Sequence, residues 1–220
     1  MSKARALFDR ELTDLRDNIL YLGGMVEMAI EKAIQALRDQ DEDLARQVIA
    51  GDEEINTKRY DIEEWCVRLI ATQQPAAGDL RAIVAAIHIV TELERMGDHA
   101  SGVAELAIRL ASQPHLKPLI DVPHMAEIDR GMIHASLDAY FERDPVLALE
   151  TAKRDAEIDG LYDQVYRELL TYMLSDPTTI TRATYLLWVT HNLERIADRV
   201  TNICERVIYM CTGKMEELNF

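Results

Sequence analysis

The sequence predicts an all-α fold of two tandem three-helix bundles, six long antiparallel helices related by a pseudo-two-fold internal repeat. Three observations predict it. Apolar residues recur at spacings of three and four almost throughout, the period of an amphipathic helix. Only 9 glycines and 6 prolines interrupt 220 residues, too few for the many turns of a β-rich chain. The two halves of the chain also align with one another, in polar as well as apolar positions.

The prolines, at 75, 114, 118, 123, 145 and 177, parse the chain. Proline is excluded from helix interiors but favoured in first turns. Helix one is expected over about 4–39, with Leu12, Leu15, Ile19, Leu22, Val26, Ala29, Ala33 and Leu37 in one apolar stripe. Gly23-Gly24 lies inside it and reads as a kink or a close helix contact. Helix two opens at Asp41, an N-cap candidate, and runs to about Gln73 with Leu44, Val48, Ile55, Ile62, Cys66 and Leu69 inward. Helix three starts near Gly78-Asp79 and ends near Ser112, with Ile83, Ile87, Val90, Leu93, Ala100, Ala104 and Ile108 marking its inner side. Gln113 to Pro123 reads as a link. Helices four, five and six are expected near 125–143, 145–175 and 178–212, with Asp144-Pro145 and Asp176-Pro177 each an N-cap followed by a first helical residue. Several exceed 30 residues, roughly 45 Å at a rise of about 1.5 Å per residue. Long helices joined by short turns fold back on their neighbours. The expected units are a bundle over 1–113, a linker over 114–123 and a bundle over 124–220.

The repeat is visible in polar positions that amphipathicity does not demand. Ala36-Leu-Arg-Asp-Gln-Asp-Glu-Asp-Leu-Ala45 matches Ala139-Tyr-Phe-Glu-Arg-Asp-Pro-Val-Leu-Ala148. Asp52-Glu-Glu-Ile-Asn56 matches Asp155-Ala-Glu-Ile-Asp159 at the same offset. After a three-residue slip, Glu92-Leu-Glu-Arg-Met-Gly-Asp98 matches Asn192-Leu-Glu-Arg-Ile-Ala-Asp198.

The net charge of −15 repels phosphate backbones, so no nucleic-acid partner is expected, and docking on anionic lipid is disfavoured. The same charge suits basic partner surfaces or cations. The cysteines, Cys66, Cys204 and Cys211, are odd in number and form no CxxC pair. The opening Met1-Ser-Lys-Ala-Arg lacks an apolar signal core, and no window is long and apolar enough to span a membrane. A cytoplasmic protein that is not itself membrane-spanning is the expectation.

The chemistry lies where carboxylates interrupt helices three and six. Glu94 and Asp98 stand one turn apart, and Glu194 and Asp198 repeat the step. Acids at i and i+4 repel unless solvent, arginine or a cation neutralises them. In one reading the core uses Ile83, Ala86, Val90, Leu93, Gly97 and Ala104, and the acids lie on a wet flank paired with Arg95, Arg195 or Arg199. In the other each pair is part of a metal site, since carboxylates are hard oxygen ligands for magnesium, manganese, iron or calcium. Further donors are available from Asp52, Glu53, Asn56, Asp155, Asp159 and Asp163 on helices two and five, and from His99 and Asn202. Di-iron bundles use Glu-x-x-His, whereas Gly97 and Ala197 occupy the i+3 positions here. The six histidines form no HExxH or HxxxH pair, and His88 and His134, in apolar surroundings, are expected to be packed. No phosphate loop, dinucleotide turn or nucleophile elbow is present, so no enzymatic activity is expected.

With Phe8-Asp-Arg-Glu-Leu12, Leu93-Glu-Arg-Met-Gly-Asp98, Leu193-Glu-Arg-Ile-Ala-Asp198, and Arg81 and Arg182 before the third helix of each unit, the whole chain resembles the PhoU family of phosphate-transport accessory proteins. The resemblance implies a cytoplasmic homodimer and a negative regulator of phosphate uptake and of the phosphate-starvation response. It implies an adaptor between the phosphate ABC transporter, through its ATPase subunit, and a sensor histidine kinase. It also implies metal at Glu94, Asp98, Glu194 and Asp198, with iron, manganese, magnesium or zinc as candidates and Asn56, Asp159, Asp163 and Asn202 in support. Asn56 stands opposite Asp159, so the two sites are expected to differ. Two other classes compete: a metal-dependent carboxylate-bundle enzyme, and a metal-free structural interaction module.

Overall fold

A computed structural model describes residues 3–215 and 217–218. The chain is helical, with no strand among the described residues. The helices are α1 (Lys3–Asp39), α2 (Glu42–Gln73), α3 (Ala77–Ala111), α4 (Asp121–Glu142), α5 (Pro145–Ala152), α6 (Asp155–Ser175) and α7 (Ile180–Thr212). A 3-10 turn, Pro177–Thr179, leads into α7. Residues 1 and 2, at the opening of the sequence, and 219–220, at the end of the second expected unit, lie outside the described residues.

The expected caps form. Asp41 accepts a hydrogen bond from the Leu44 backbone N–H at 2.9 Å. Asp144 accepts from Val146 and Leu147 at 2.8 and 3.0 Å, with Pro145 in the first turn. Asp176 accepts from the Thr178 N–H at 2.9 Å, capping the 3-10 turn rather than the long helix beyond it. The repeat extends to the backbone. Gln40 and Arg143, equivalent at the common offset, both end their helices in the left-handed region, at φ 54° and 56°. The residue after each, Asp41 or Asp144, donates its N–H to Ala36 or Ala139 at 2.9 Å, the closing bond of the same C-terminal motif.

Two boundaries differ from expectation. The helix expected over 145–175 is broken at Lys153-Arg154, where the Arg154 N–H turns to the Thr151 carbonyl at 3.1 Å, an i−3 bond that tightens the chain. The equivalent Ala50-Gly51 of the first half continues α2 unbroken. Helix four begins at Asp121, so Pro123 lies in its first turn instead of the link. Proline at that position gives up an N–H that has no partner in a first turn anyway. Within the link, Lys117 is buried against Asp121 and Glu168, which ties the segment to α6.

The stripes read from the sequence form one continuous core. Helix α3 packs on α1 and α2, α7 packs on α4, α5 and α6, and the most extensive interface lies between α3 and α7. Where α1 meets α4, a Cβ built on Gly23 would lie 2.2 Å from Leu137 Cδ1, so glycine there permits close approach. His88 and His134 do not pack. Both are exposed, because each sits one position beyond its helix's inward face.

Candidate metal centre

The α3–α7 seam puts the repeat in register. The Asn192 amide N–H donates to the Trp188 carbonyl at 2.8 Å, which leaves its Oδ1 to accept from His99 Nδ1 at 3.0 Å. Across the pseudo-two-fold, Glu92 replaces Asn192 and Arg199 replaces His99, and this pair meets at 3.5 Å. Asn202 also donates to Glu92, at 3.2 Å. Its counterpart Gly102 is closely approached, since an added Cβ would stand 3.1 Å from Asn192 Oδ1. Asn202 thus serves the seam and also lines a cavity with Asp198.

Both pairs lie on the flank of the core. Ile83, Ala86, Val90, Leu93, Gly97 and Ala104 are buried, whereas Glu94 is half-buried and Asp98 is exposed. Each pair faces its own bundle's second helix. In the first cluster Asp52 of α2 acts on Glu94, and burial, with Asp98 adding to it, raises Asp52 itself. Burial pushes the Glu94 carboxyl up, Asp98 adds to the push, and Arg59 opposes it. Arg59 Nε lies 3.8 Å from Glu94, and its Nη1 donates to Glu63 at 2.8 Å. Asn56 donates to Asp52 at 3.0 Å, leaving the other Asp52 oxygen buried without a partner.

In the second cluster burial, with Asp159, Asp198 and Glu194 adding to it, lifts Asp155 to about 6. Burial raises Glu194 and Asp159 as well, each with Asp198 as the next cause. Asp198 pairs with Arg195 at 2.7 Å, and Glu194 has His191 at 3.2 Å. Arg95 and Arg199 turn to Glu92 instead. Asp163 is exposed and pairs with Arg167 at 3.2 Å, at the margin of the cluster. Glu53 is exposed on α2. A polar cavity of about 380 Å³ opens over Asp155, Asp198, Asn202 and Glu205 with Arg195 and Arg199 also in its wall, and Leu218 closes one side by donating its N–H to Glu205 at 2.9 Å. An apolar groove of about 470 Å³ between α1 and α2, lined by Tyr21, Met25, Met28, Val48 and Ile55, holds none of the four motif carboxylates.

Two residues that bear on the clusters were not singled out in the sequence. Asp129 of α4 is fully buried, both its oxygens lack hydrogen-bond partners, and Asp155 is the charge that acts on it. At the repeat offset it stands where α1 has the buried Val26. An acid at an apolar repeat position is the signal that finds it. Arg59 escapes detection because only the packing of α2 on α3 brings it to Glu94.

The donor chemistry fits a hard cation: the clustered groups are carboxylate oxygens, and Asp52 and Asp155 each keep one buried oxygen unpartnered. No three His, Cys, Asp or Glu side chains among the described residues converge in a ligating arrangement. Nucleophilic chemistry finds less support. Burial pushes the Cys66 and Cys204 thiols to about 12.

These features define a duplicated three-helix protein whose clustered chemistry is carboxylate, held on the two helices that join its halves. The PhoU domain model matches residues 19–107 and 122–207, one stretch in each half. The chain belongs to the PhoU family. It is 41% identical to the phosphate-specific transport system accessory protein PhoU homolog of Clostridium acetobutylicum, over 98% of this chain and 99% of that protein. It is 37% identical to the PhoU accessory protein of Escherichia coli K12, over 94% of this chain and 86% of that protein. The crystal structure of PhoU from Pseudomonas aeruginosa superposes with a TM-score of 0.89 at 41% identity, covering 94% of this chain and all of that one. The phosphate transport system regulatory protein PhoU from Streptococcus pneumoniae superposes with a TM-score of 0.89 at 32% identity, covering 96% of this chain and all of that one.

Proposed function

We propose that this chain is a non-enzymatic adaptor that represses phosphate uptake and the phosphate-starvation response. The observation that carries the reading is its near full-length kinship with accessory proteins of the phosphate-specific transport system. In the cytoplasm, as a homodimer, it couples the ATPase subunit of the phosphate ABC transporter to a sensor histidine kinase and keeps the kinase off while phosphate suffices. The −15 net charge favours basic docking surfaces on those partners. No described helix is long and apolar enough to cross a membrane, which suits a protein that reaches the membrane through a partner.

The carboxylate clusters bind a hard metal ion, with Glu94, Asp98, Glu194 and Asp198 as the motif ligands and Asp52, Asp155 and Asp159 beside them. Such an ion supplies positive charge that relieves the mutual repulsion of these acids and stiffens the contact between neighbouring helices. The adaptor reading is tested by retention of the transporter ATPase and the kinase on immobilised protein, comparing wild type with the Glu94→Ala/Asp198→Ala double variant. Retention of both partners by wild type supports it. Retention of neither, at any phosphate or metal concentration, overturns it. Elemental analysis of protein purified without chelator tests the metal reading: content near zero, unchanged on adding iron, manganese, magnesium or zinc, leaves the carboxylates as surface groups.

A further inference from the structure

Gly24 of α1 and Gly51 of α2 line the apolar groove of about 470 Å³ from its two walls. Glycine inside a helix is destabilising relative to alanine, and the packing requires it at neither position: a Cβ built on either meets nothing within 4 Å. Tyr21 and Met28 border the same groove at 63% and 55% exposure, over the buried Val48 and Ile55. Large apolar side chains gathered round an open groove are the mark of a surface that another molecule covers.

The second half shows how the equivalent space is filled from within. At the repeat offset Arg154, at the break between α5 and α6, stands for Gly51, Gly131 for Met28 and Glu157 for Glu54. A Cβ built on Gly131 would lie 3.4 Å from Arg154 Nη1, so the guanidinium covers this glycine, and Arg154 Nε lies 3.9 Å from Glu157. The rest of that face of α4 is charged, with Glu127, Arg130, His134 and Asp138 round a hollow of about 500 Å³. In the first half nothing plays the part of Arg154, and the exposed Glu54 has no side-chain partner among the described residues. Past Tyr21 the groove continues into a polar hollow of about 460 Å³ with Glu53, Glu54 and Asp61 in its wall. Two lysines also border the groove. Lys58 is engaged, donating to Asn18 and lying 5.3 Å from the centre of the Tyr21 ring, and Lys32 lines the far end, toward the α1–α2 turn.

We infer that the α1–α2 groove docks a basic amphipathic helix of a partner protein, whose apolar side chains enter between Tyr21, Met25 and Met28 and whose arginine or lysine meets Glu54 as Arg154 meets Glu157 in the second half. The inference rests on the adaptor reading given above and seats one of its two partners on the first bundle. An amphipathic helix laid in a groove between two helices presents its apolar residues at i, i+3, i+4 and i+7, and methionine walls adapt to their shape. The two bare glycines let that helix approach the backbone of both walls. Glu53, Glu54 and Asp61 at one end, against Lys32 at the other, fix the end at which its basic residues lie.

Surface plasmon resonance on the immobilised intact protein, with the purified transporter ATPase subunit and the cytoplasmic part of the kinase as analytes, tests this. Gly51→Arg copies the second half's own filling of the space, and Gly24→Leu blocks the groove from the other wall without adding charge. Each should weaken the same one of the two partners at least tenfold and leave the other unchanged. Glu54→Gln should weaken that partner about threefold and flatten its salt dependence. Both glycine variants should melt at or above the wild-type temperature, since each replaces glycine by a better helix former in open space. Unchanged binding of both partners to both glycine variants, or loss of both partners at once, overturns the inference and leaves the adaptor reading standing. A wild-type dimer that Gly51→Arg converts to a monomer, read by light scattering, gives the groove to a second copy of the chain and overturns it as well. Binding of neither partner to wild type overturns the adaptor reading and this inference with it.

Discussion

Replacing Asp129 with valine is expected to make the metal-free protein more stable. The carboxyl is fully buried and both oxygens lack hydrogen-bond partners, whereas the repeat-equivalent Val26 of α1 is buried as an apolar side chain. A buried polar group without a partner costs about 1–3 kcal/mol. For a chain of this length about 1 kcal/mol moves Tm by roughly 2–4 °C, so the gain is on the order of 2–12 °C. The pH dependence has a definite sign. Burial holds the Asp129 carboxyl well above the usual carboxylate range, and Asp155 adds to it. Above about pH 4 the unfolded chain ionises this group while the folded chain keeps its proton, so the folded state binds more protons and stability falls as pH rises through that window. The valine variant escapes this loss. Its advantage over wild type, followed by circular dichroism during thermal unfolding in chelator, should therefore be larger at pH 7.5 than at pH 4.5. Asp129→Asn should gain less than valine, because its amide is still unsatisfied. A less stable valine variant, or the same advantage at both pH values, refutes the reasoning.

Three further outcomes follow from the packing. Glu92→Ala leaves Arg199 and Asn202 without their acceptor at the seam and should cost about 1–3 kcal/mol in urea unfolding. In a cycle with Arg199→Ala the two losses should fall short of additivity by at least about 0.5 kcal/mol, and strict additivity denies the contact. Gly23→Ala should destabilise wild type, because overpacking against Leu137 outweighs the roughly 1 kcal/mol helix preference for alanine. In a Leu137→Ala background the same change should stabilise, and an unchanged sign would show that the two helices do not touch there. Of the three cysteines, half-buried Cys211 should react first with a disulfide reagent in the native state, with Cys66 and Cys204 following only in denaturant.

The long helices, their aspartate caps and the duplication were legible because each is written in local spacing. Proline placement, a capping side chain and a 3.6-residue period need no knowledge of neighbours. The break at Lys153-Arg154 was not legible, since nothing in the local composition forbids the helix that Ala50-Gly51 continues in the first half. His88 and His134 were misplaced for a related reason. An apolar neighbourhood along the chain does not say which side of the helix a residue takes, and one step of about 100° carries a side chain from the core to solvent. The four motif acids were found by their recurrence, but their flanking position and their facing partners Asp52 and Asp155 emerge only when α2 packs on α3 and α6 on α7. Asp129 is legible from the repeat, as an acid in helix four opposite the apolar Val26 of helix one. Arg59 is not, because Glu94 lies on a different helix and only packing brings the two together.

We propose that this chain holds the phosphate-starvation response off while phosphate is plentiful. Its most direct test is a starvation-gene reporter in phosphate-replete cells, read with the chain's gene intact, deleted, and restored. The account predicts a reporter that is silent with the chain, active without it, and silent again on restoration. A reporter that stays silent in the deletion contradicts it.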